Sequence, residues 1–242
     1  MDAIASFRHL ILTRFNVRIP EYPDAGGPNW LQHRFDIFER FCLPCVRGQS
    51  NLNFDWLLFC SPDMPGILRE RLLKYSEWPN IRPVCIEGDF TQAAVKSAVR
   101  EYTLGVTHLI TTRLDNDDGI CRSFVETIQN RFSGQDFEFL NFTNGYIWVN
   151  GVVYAGQHST NPFISLIERA ENPSTVYSGN HMRLRELGPI RQIERPAGWL
   201  QVVHTRNLAN EAWGRPAAIQ DLYDHFAIVP ESLTGVVTKK VL

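Results

Sequence analysis

Over the first half of the chain, short apolar runs rich in β-branched and aromatic residues alternate with longer amphipathic segments, and few folds satisfy that alternation. His9-Leu10-Ile11-Leu12-Thr13, Phe54 to Cys60, Ile81 to Ile86 and Thr107 to Thr112 are too short for helices and read as strands. Between them, Trp30 to Val46 carries Leu31, Phe35, Phe38, Phe41 and Cys42 on one helical face, and Pro65 to Tyr75 and Phe90 to Tyr102 read as further helices. The order β-α-β-α-β-α-β predicts an α/β protein with a doubly wound, mostly parallel sheet. Pro83 restricts the third strand to an edge or terminal place.

After residue 118 the pattern changes to a smaller mixed half. A helix is expected over Gly119 to Phe132, then a strand over Glu138 to Phe142. Tyr146 to Val149 and Val152 to Tyr154 should form a hairpin through Asn150-Gly151, a dipeptide suited to two consecutive positive φ angles. Asn161-Pro162-Phe163 reads as the start of a helix reaching about Ala170, and Gly198 to His204 as a late strand.

At 242 residues the chain fits one domain with a substantial core. Its net charge of −2 forms no basic stripe, so neither nucleic acid nor an anionic membrane is expected as the main partner. No apolar stretch approaches the roughly 20 residues of a bilayer span, so no integral membrane segment is expected. Met1 to Arg8 lacks the basic and apolar regions of a leader, and the expected location is cytoplasmic. Five cysteines, an odd number, argue against a disulfide framework. Cys42-Leu43-Pro44-Cys45 has redox spacing but ends an amphipathic helix, where a structural role is expected.

The fourth strand runs into Thr112-Arg113-Leu114-Asp115-Asn116-Asp117-Asp118-Gly119, with three carboxylates in four positions. Carboxylates that close repel one another, and a hard divalent cation, Mn2+ or Mg2+, is the simplest means of keeping them ionised. The C-terminal edge of a parallel sheet is also where α/β folds bind ligands. A competing reading is an exposed acidic turn that caps the next helix. Arg14 and Arg113 end two of the expected central strands, where a guanidinium can grip phosphate or sugar oxygens, or pair with the acid cluster. Asp63, just after the second strand, is a candidate contact for base or ribose and equally a helix cap.

Leu12-Thr13-Arg14-Phe15-Asn16, Trp30 to Phe38, Trp56-Leu57-Leu58-Phe59 and Thr112-Arg113-Leu114-Asp115-Asn116-Asp117-Asp118 together resemble the rhamnosyltransferase family, over most of the chain to about Trp213. The resemblance implies a GT-A-like fold and transfer of a sugar, rhamnose by the family's label, from a dTDP- or UDP-linked donor to a carbohydrate acceptor. It implies one glycosyltransferase domain over residues 1–242, with a nucleotide-sugar half at about 8–118, an acceptor half at about 119–213 and an extension at 214–242. Thr13, Arg14, Asn16, Asp63, Arg113 and Asp115 become candidates for holding the donor. Asp115 and Asp117 become metal ligands with Asp118 beside them, and His204, at the end of the late strand, is the histidine such enzymes supply to the same ion. His181 is the first candidate for the acceptor base and Glu186 the second. Trp148, Tyr154 and Trp199 suit either an acceptor wall or the core, and the core is favoured. Two competitors remain open from the residues alone. A nucleotidyltransferase would need a glycine-rich loop after the first strand, which Thr13-Arg14-Phe15-Asn16 lacks; a non-catalytic sugar- or nucleotide-binding module is the other.

Overall fold

The computed structural model describes residues 6–19, 28–204, 207 and 212–233. In the first half of the chain the expected alternation is present as β1 (Phe7–Arg14), α1 (Pro28–Ile37), α2 (Leu43–Arg47), β2 (Asp55–Cys60), α3 (Gly66–Tyr75), β3 (Ile81–Cys85), α4 (Gln92–Val99) and β4 (His108–Arg113). The first long helix is interrupted. Pro44 has no N–H to return to the preceding turn, and the backbone widens over Phe38–Cys42, where the Leu43 N–H donates to the Phe38 carbonyl.

The later elements are β5 (Gly119–Ile120), α5 (Phe124–Gln129), β6 (Phe137–Phe142), β7 (Asn144–Val149), β8 (Val152–Gln157), β9 (Ser165–Arg169), β10 (Ile190–Ile193), β11 (Trp199–Val202), β12 (Arg215–Ala217) and α6 (Gln220–His225). Two sheets result. The larger has seven strands in the order β10-β6-β9-β4-β1-β2-β3, and the smaller has five in the order β12-β8-β7-β11-β5. β1 is parallel to both β2 and β4, and β3, with Pro83, is an edge strand as expected. The hairpin turns through Asn150 and Gly151 at φ 51° and 78°, values that few residues other than Asn and Gly tolerate in succession.

Two expectations are corrected. The segment from Asn161 to Ala170 is not a helix. Its apolar centre is β9, antiparallel to both β4 and β6, and Ser165 to Ile167 are buried on both faces. The run Phe163 to Ile167, apolar but for Ser165, is too short to show a period that separates strand from helix, and Asn-Pro suits a turn as well as a cap. The helix expected from Gly119 begins only at Phe124, because Gly119 and Ile120 pair with Leu200 and Trp199 of β11.

The large sheet is covered on both faces, as doubly wound topology requires. Ile11, Trp56, Leu58 and Ile110 face a core shared with α1, α3, α5 and the small sheet, while Leu10, Leu12, Leu57, Phe59 and Leu109 face Val95 and Val99 of α4. Trp148 and Trp199 are core residues, and Tyr154 packs partly buried against them. β6, β9 and β10 extend the sheet begun by β1–β4, so the two halves of the sequence share one sheet. Part of the 214–242 segment also belongs to the core, through Leu222, Phe226 and Ile228.

Candidate donor site

From β1 the chain moves outward to β2 and β3, then returns to place β4 on the other side of β1. The C-terminal ends of β1 and β4 therefore flank a topological switch point, the position at which open α/β sheets leave a crevice. A cavity of about 390 Å³ lies there, lined by Arg14, Asn16, Arg34, Arg113 and the run Asp115 to Asp118 on one side and by His158, His181, Trp199 and Trp213 on others. Its size suits a small ligand.

The parallel register sets Leu12 beside Arg113, so Arg14 and Arg113 emerge close together. They share one carboxylate: Arg14 Nη2 lies 3.0 Å from Asp115 Oδ1 and Arg113 Nη2 2.8 Å from Oδ2. Tyr177 stacks against both, with its ring centroid 5.7 Å from the Arg14 guanidinium and 5.9 Å from that of Arg113. Burial alone would raise the Asp115 carboxyl, but Arg113 and Arg14 outweigh it and hold the group below the usual carboxylate range.

Asp117 is held from behind. Its Oδ2 accepts from buried Arg34, from Asn207 Nδ2 at 3.0 Å and lies 3.1 Å from His204 Nε2. Burial pushes the Asp117 carboxyl up, and Arg34 and His204 more than reverse that and keep it ionised. Asp118 Oδ1 accepts the Val202 N–H at 2.9 Å and so ties the β4 exit to β11. Burial first, then Asp117 and Asp115, push its carboxyl well above the ordinary value. The three carboxylates Asp115, Asp117 and Asp118 thus lie together with the three guanidiniums of Arg14, Arg34 and Arg113 at the β4 exit.

Other candidates are placed as follows. Asn16 lines the cavity, and its Oδ1 accepts the Ser61 N–H at 3.0 Å, bracing the β1 and β2 exits. Thr13 is fully buried, and its hydroxyl accepts from Trp56 Nε1 at 2.8 Å, so its side chain is committed to the core. His181 begins a 3-10 turn over His181–Glu186 and lines the cavity, with Nδ1 3.5 Å from Arg113 Nη1. Burial, then Arg113, push its imidazole down to about 4, so it is neutral at pH 7. Glu186 and Asp63 do not line the cavity. Glu186 is exposed and paired with Arg183 Nη2 at 2.8 Å, and Asp63 is exposed on the turn after β2.

The cluster was expected to be an exposed acidic turn or a metal site. It is not exposed, since Asp117 retains 5% of its accessible surface and Asp118 3%. Among the described residues no three His, Cys, Asp or Glu side chains are grouped to hold a metal ion. Asp115 does not fit a cation, because two guanidiniums occupy its two oxygens. Asp117 with His204 does not fit one as placed either, because Asp117 Oδ2 already accepts from Arg34 and Asn207 and fully buried His204 does not line the cavity.

Arg34, Asn207 and Tyr177 were not singled out from the sequence. Arg34 had a visible signal, because it lies four residues after Trp30 on α1 and its guanidinium rests 4.6 Å from that ring's centroid. The others carry no local signal. The Cys42 and Cys45 thiols are buried and pushed up, Cys45 to about 12, so neither is a reactive thiolate. No described helix is long and apolar enough to cross a membrane.

The fold is similar to that of solved structures. The S. aureus TarS fragment 1–349 solved with UDP-GlcNAc matches at a TM-score of 0.51 and 11% identity, over 90% of this chain and 64% of that one. The same fragment solved with UDP matches at 0.50 and 11%, over 82% and 61%. This chain thus spans less than two thirds of that fragment, and at such identity the likeness shows the fold, which is GT-A-like as expected. No curated protein matches the sequence. Residues 26–216 match the family described as "Putative rhamnosyl transferase", and the chain belongs to that family.

Proposed function

We propose that the protein is a glycosyltransferase that moves a sugar, rhamnose by its family, from a nucleoside diphosphate donor to a carbohydrate hydroxyl with the help of Mn2+ or Mg2+. The observation that carries this reading is the pair Arg14 and Arg113 sharing the single carboxylate of Asp115 at the switch point. Two guanidiniums against one carboxylate leave a positive charge fixed where a diphosphate would lie, and planar forks match phosphate oxygens better than an ammonium does.

In this mechanism Asp115 does not meet the donor's charge directly. It holds the two guanidiniums against the Tyr177 ring, so little reorganisation is needed as negative charge grows on the departing diphosphate. A divalent cation arriving with the donor would neutralise that same charge, and Asp117, which lines the cavity, would face it. Arg34 and Asn207 keep the Asp117 carboxylate ionised and oriented. His181 is neutral, and Nδ1, whose lone pair faces Arg113 Nη1, is the nitrogen that would accept the acceptor's hydroxyl proton. Inversion follows if His181 is that base.

UDP, dTDP and their sugar conjugates supply the test, titrated calorimetrically with and without Mn2+. The proposal expects binding that strengthens with the ion and release of free nucleoside diphosphate on adding acceptor. Metal-dependent release would also exclude a non-catalytic binding module. Absence of binding by every nucleotide-sugar would overturn the reading.

A further inference from the structure

We propose that the indole of Trp213 is the platform on which a pyranose of the acceptor stacks its apolar face. The inference rests on the transferase reading above and extends it from the donor's diphosphate to the acceptor's sugar ring. Trp213 lines the cavity and keeps 38% of its surface exposed, whereas Trp199 beside it keeps 2%. Arg14 and Arg113 enter that cavity from the ends of β1 and β4 in the large sheet, and the two tryptophans enter it from the small sheet. The indole centroids lie 6.1 Å apart with the planes at 37°, and Phe163 stacks on Trp199 at 5.6 Å and 13°.

The small sheet is built to carry these rings. Gly145 of β7 and Gly156 of β8 are register partners, so side chains are missing from two adjoining positions on one face. A Cβ at Gly145 would lie 2.0 Å from Trp199 Cδ2, and one at Gly156 would lie 2.7 Å from both Cη2 and Cζ3 of Trp213, closer than real side chains approach. Each indole thus rests on bare backbone. Immediately after Trp213, Gly214 at φ 104° and the pairing of Arg215 with Ala155 return the chain to β8 and fix where the ring begins. An indole held this way loses little freedom when a ligand covers it. A pyranose presents C–H groups on one face and hydroxyls around its rim, so an aromatic wall beside polar groups matches it. Gln201, two residues after Trp199 and so on the same face of β11, supplies one such group. His158 supplies another, its ring centroid 6.3 Å from that of Trp213. Its Nδ1 accepts the Thr160 N–H at 3.1 Å, so the proton of the neutral ring is on Nε2, a donor to a hydroxyl. After burial and Arg113, His158 also helps to hold the His181 imidazole down. Platform and acceptor base therefore share one end of the cavity, and the exposure of Trp213 leaves that end open to the rest of a carbohydrate chain.

The test is saturation-transfer NMR of methyl α-L-rhamnoside, methyl β-D-glucoside and methyl N-acetyl-β-D-glucosaminide added to the full chain with UDP and Mg2+. Sorbitol, which has the hydroxyls without a ring face, is the control, and UDP affinity is measured alongside by calorimetry. A pyranoside should bind with its ring C–H protons most strongly saturated, and sorbitol should not. Trp213→Leu, which keeps apolar bulk without a ring, is expected to weaken that pyranoside about tenfold with UDP affinity unchanged within about twofold, and Trp213→Phe should stay within a few-fold of wild type. Gly156→Ala, whose methyl takes the place of the ring, should weaken the pyranoside as Trp213→Leu does. If Gly156→Ala does not fold, the contrast between Leu and Phe at position 213 decides. Wild-type pyranoside affinity in Trp213→Leu, or no pyranoside binding by a wild type that binds UDP, would overturn the platform and leave the transferase reading standing. A Trp213→Leu protein that loses affinity for UDP-GlcNAc relative to UDP while pyranosides bind unchanged would overturn the assignment to the acceptor and give the ring to the donor's sugar. Failure of UDP, dTDP and their sugar conjugates to bind at all would overturn the transferase reading and the acceptor subsite with it.

Discussion

Asp117→Asn tests the buried side of the site, and the structure reverses what an exposed acidic turn would give. On an exposed turn, neutralising one of three crowded carboxylates would relieve repulsion and leave stability unchanged or improved. Asp117 and Arg34 each retain only 5% of their accessible surface, and both lie in one network with His204 and Asn207. Removing one partner of a buried ion pair leaves the other charge uncompensated, at about 3–5 kcal/mol. Asparagine keeps an acceptor oxygen, so the lower end applies, about 3 kcal/mol. For a chain of this size each kcal/mol moves the melting temperature roughly 2–4 °C, and the expected drop is on the order of 10 °C. The assay is thermal unfolding followed by circular dichroism and calorimetry. Arg34→Met combined with Asp117→Asn removes both charges and should recover more than half of the loss, since an absent pair costs far less than half a pair. An Asp117→Asn protein melting within about 1 °C of wild type, or a double variant no more stable than the single, would refute the buried-pair account. Because the substitution also destabilises, its loss of activity alone would not report metal binding.

Arg14→Lys and Arg113→Lys should each weaken UDP binding about tenfold by calorimetry, as an ammonium lacks the planar fork; unchanged affinity would reduce both to charge balance with Asp115. His181→Ala should slow transfer roughly 10²–10⁴-fold with UDP affinity nearly constant. The wild-type acid limb should then fall near pH 4, where the buried imidazole takes up a proton and loses its lone pair; a limb unchanged in the variant would assign it elsewhere. Glu168, buried on β9, accepts the Ser174 and Thr175 N–H groups, and burial raises its carboxyl from the ordinary 4.5 to about 7. Its protonated form is favoured by folding, so its contribution is fully present below pH 4.5 and is lost as pH rises through 7, by roughly 3 kcal/mol. Urea midpoints of wild type and Glu168→Gln at pH 5 and pH 8 should therefore diverge; parallel midpoints would contradict the raised value.

The parallel half was legible because its strands and helices differ in period and length, and strand order follows from the βαβ rule. The site's edge followed from that order, and Arg14, Arg113 and the acid cluster are consecutive with strand ends. What failed was either locally ambiguous or non-local. Phe163-Ile164-Ser165-Leu166-Ile167, apolar but for Ser165, is too short to show a period, and only pairing between β4 and β6 makes Ser165–Arg169 the strand β9. Crowded carboxylates announced a need for cations but not their source; three of those cations are arginines, and Arg34 comes from a helix 83 positions away from Asp117. Tyr177 and Asn207 reach the site through long-range packing that no local pattern encodes.

Release of nucleoside diphosphate from a sugar-nucleotide donor, in the presence of Mn2+ and a carbohydrate acceptor, tests the central claim most directly. The account predicts turnover by the wild type that falls sharply in Arg14→Ala and Arg113→Ala while both variants keep the wild-type fold by circular dichroism. Turnover undiminished in the two variants would place the diphosphate away from the β1–β4 switch point and contradict the account.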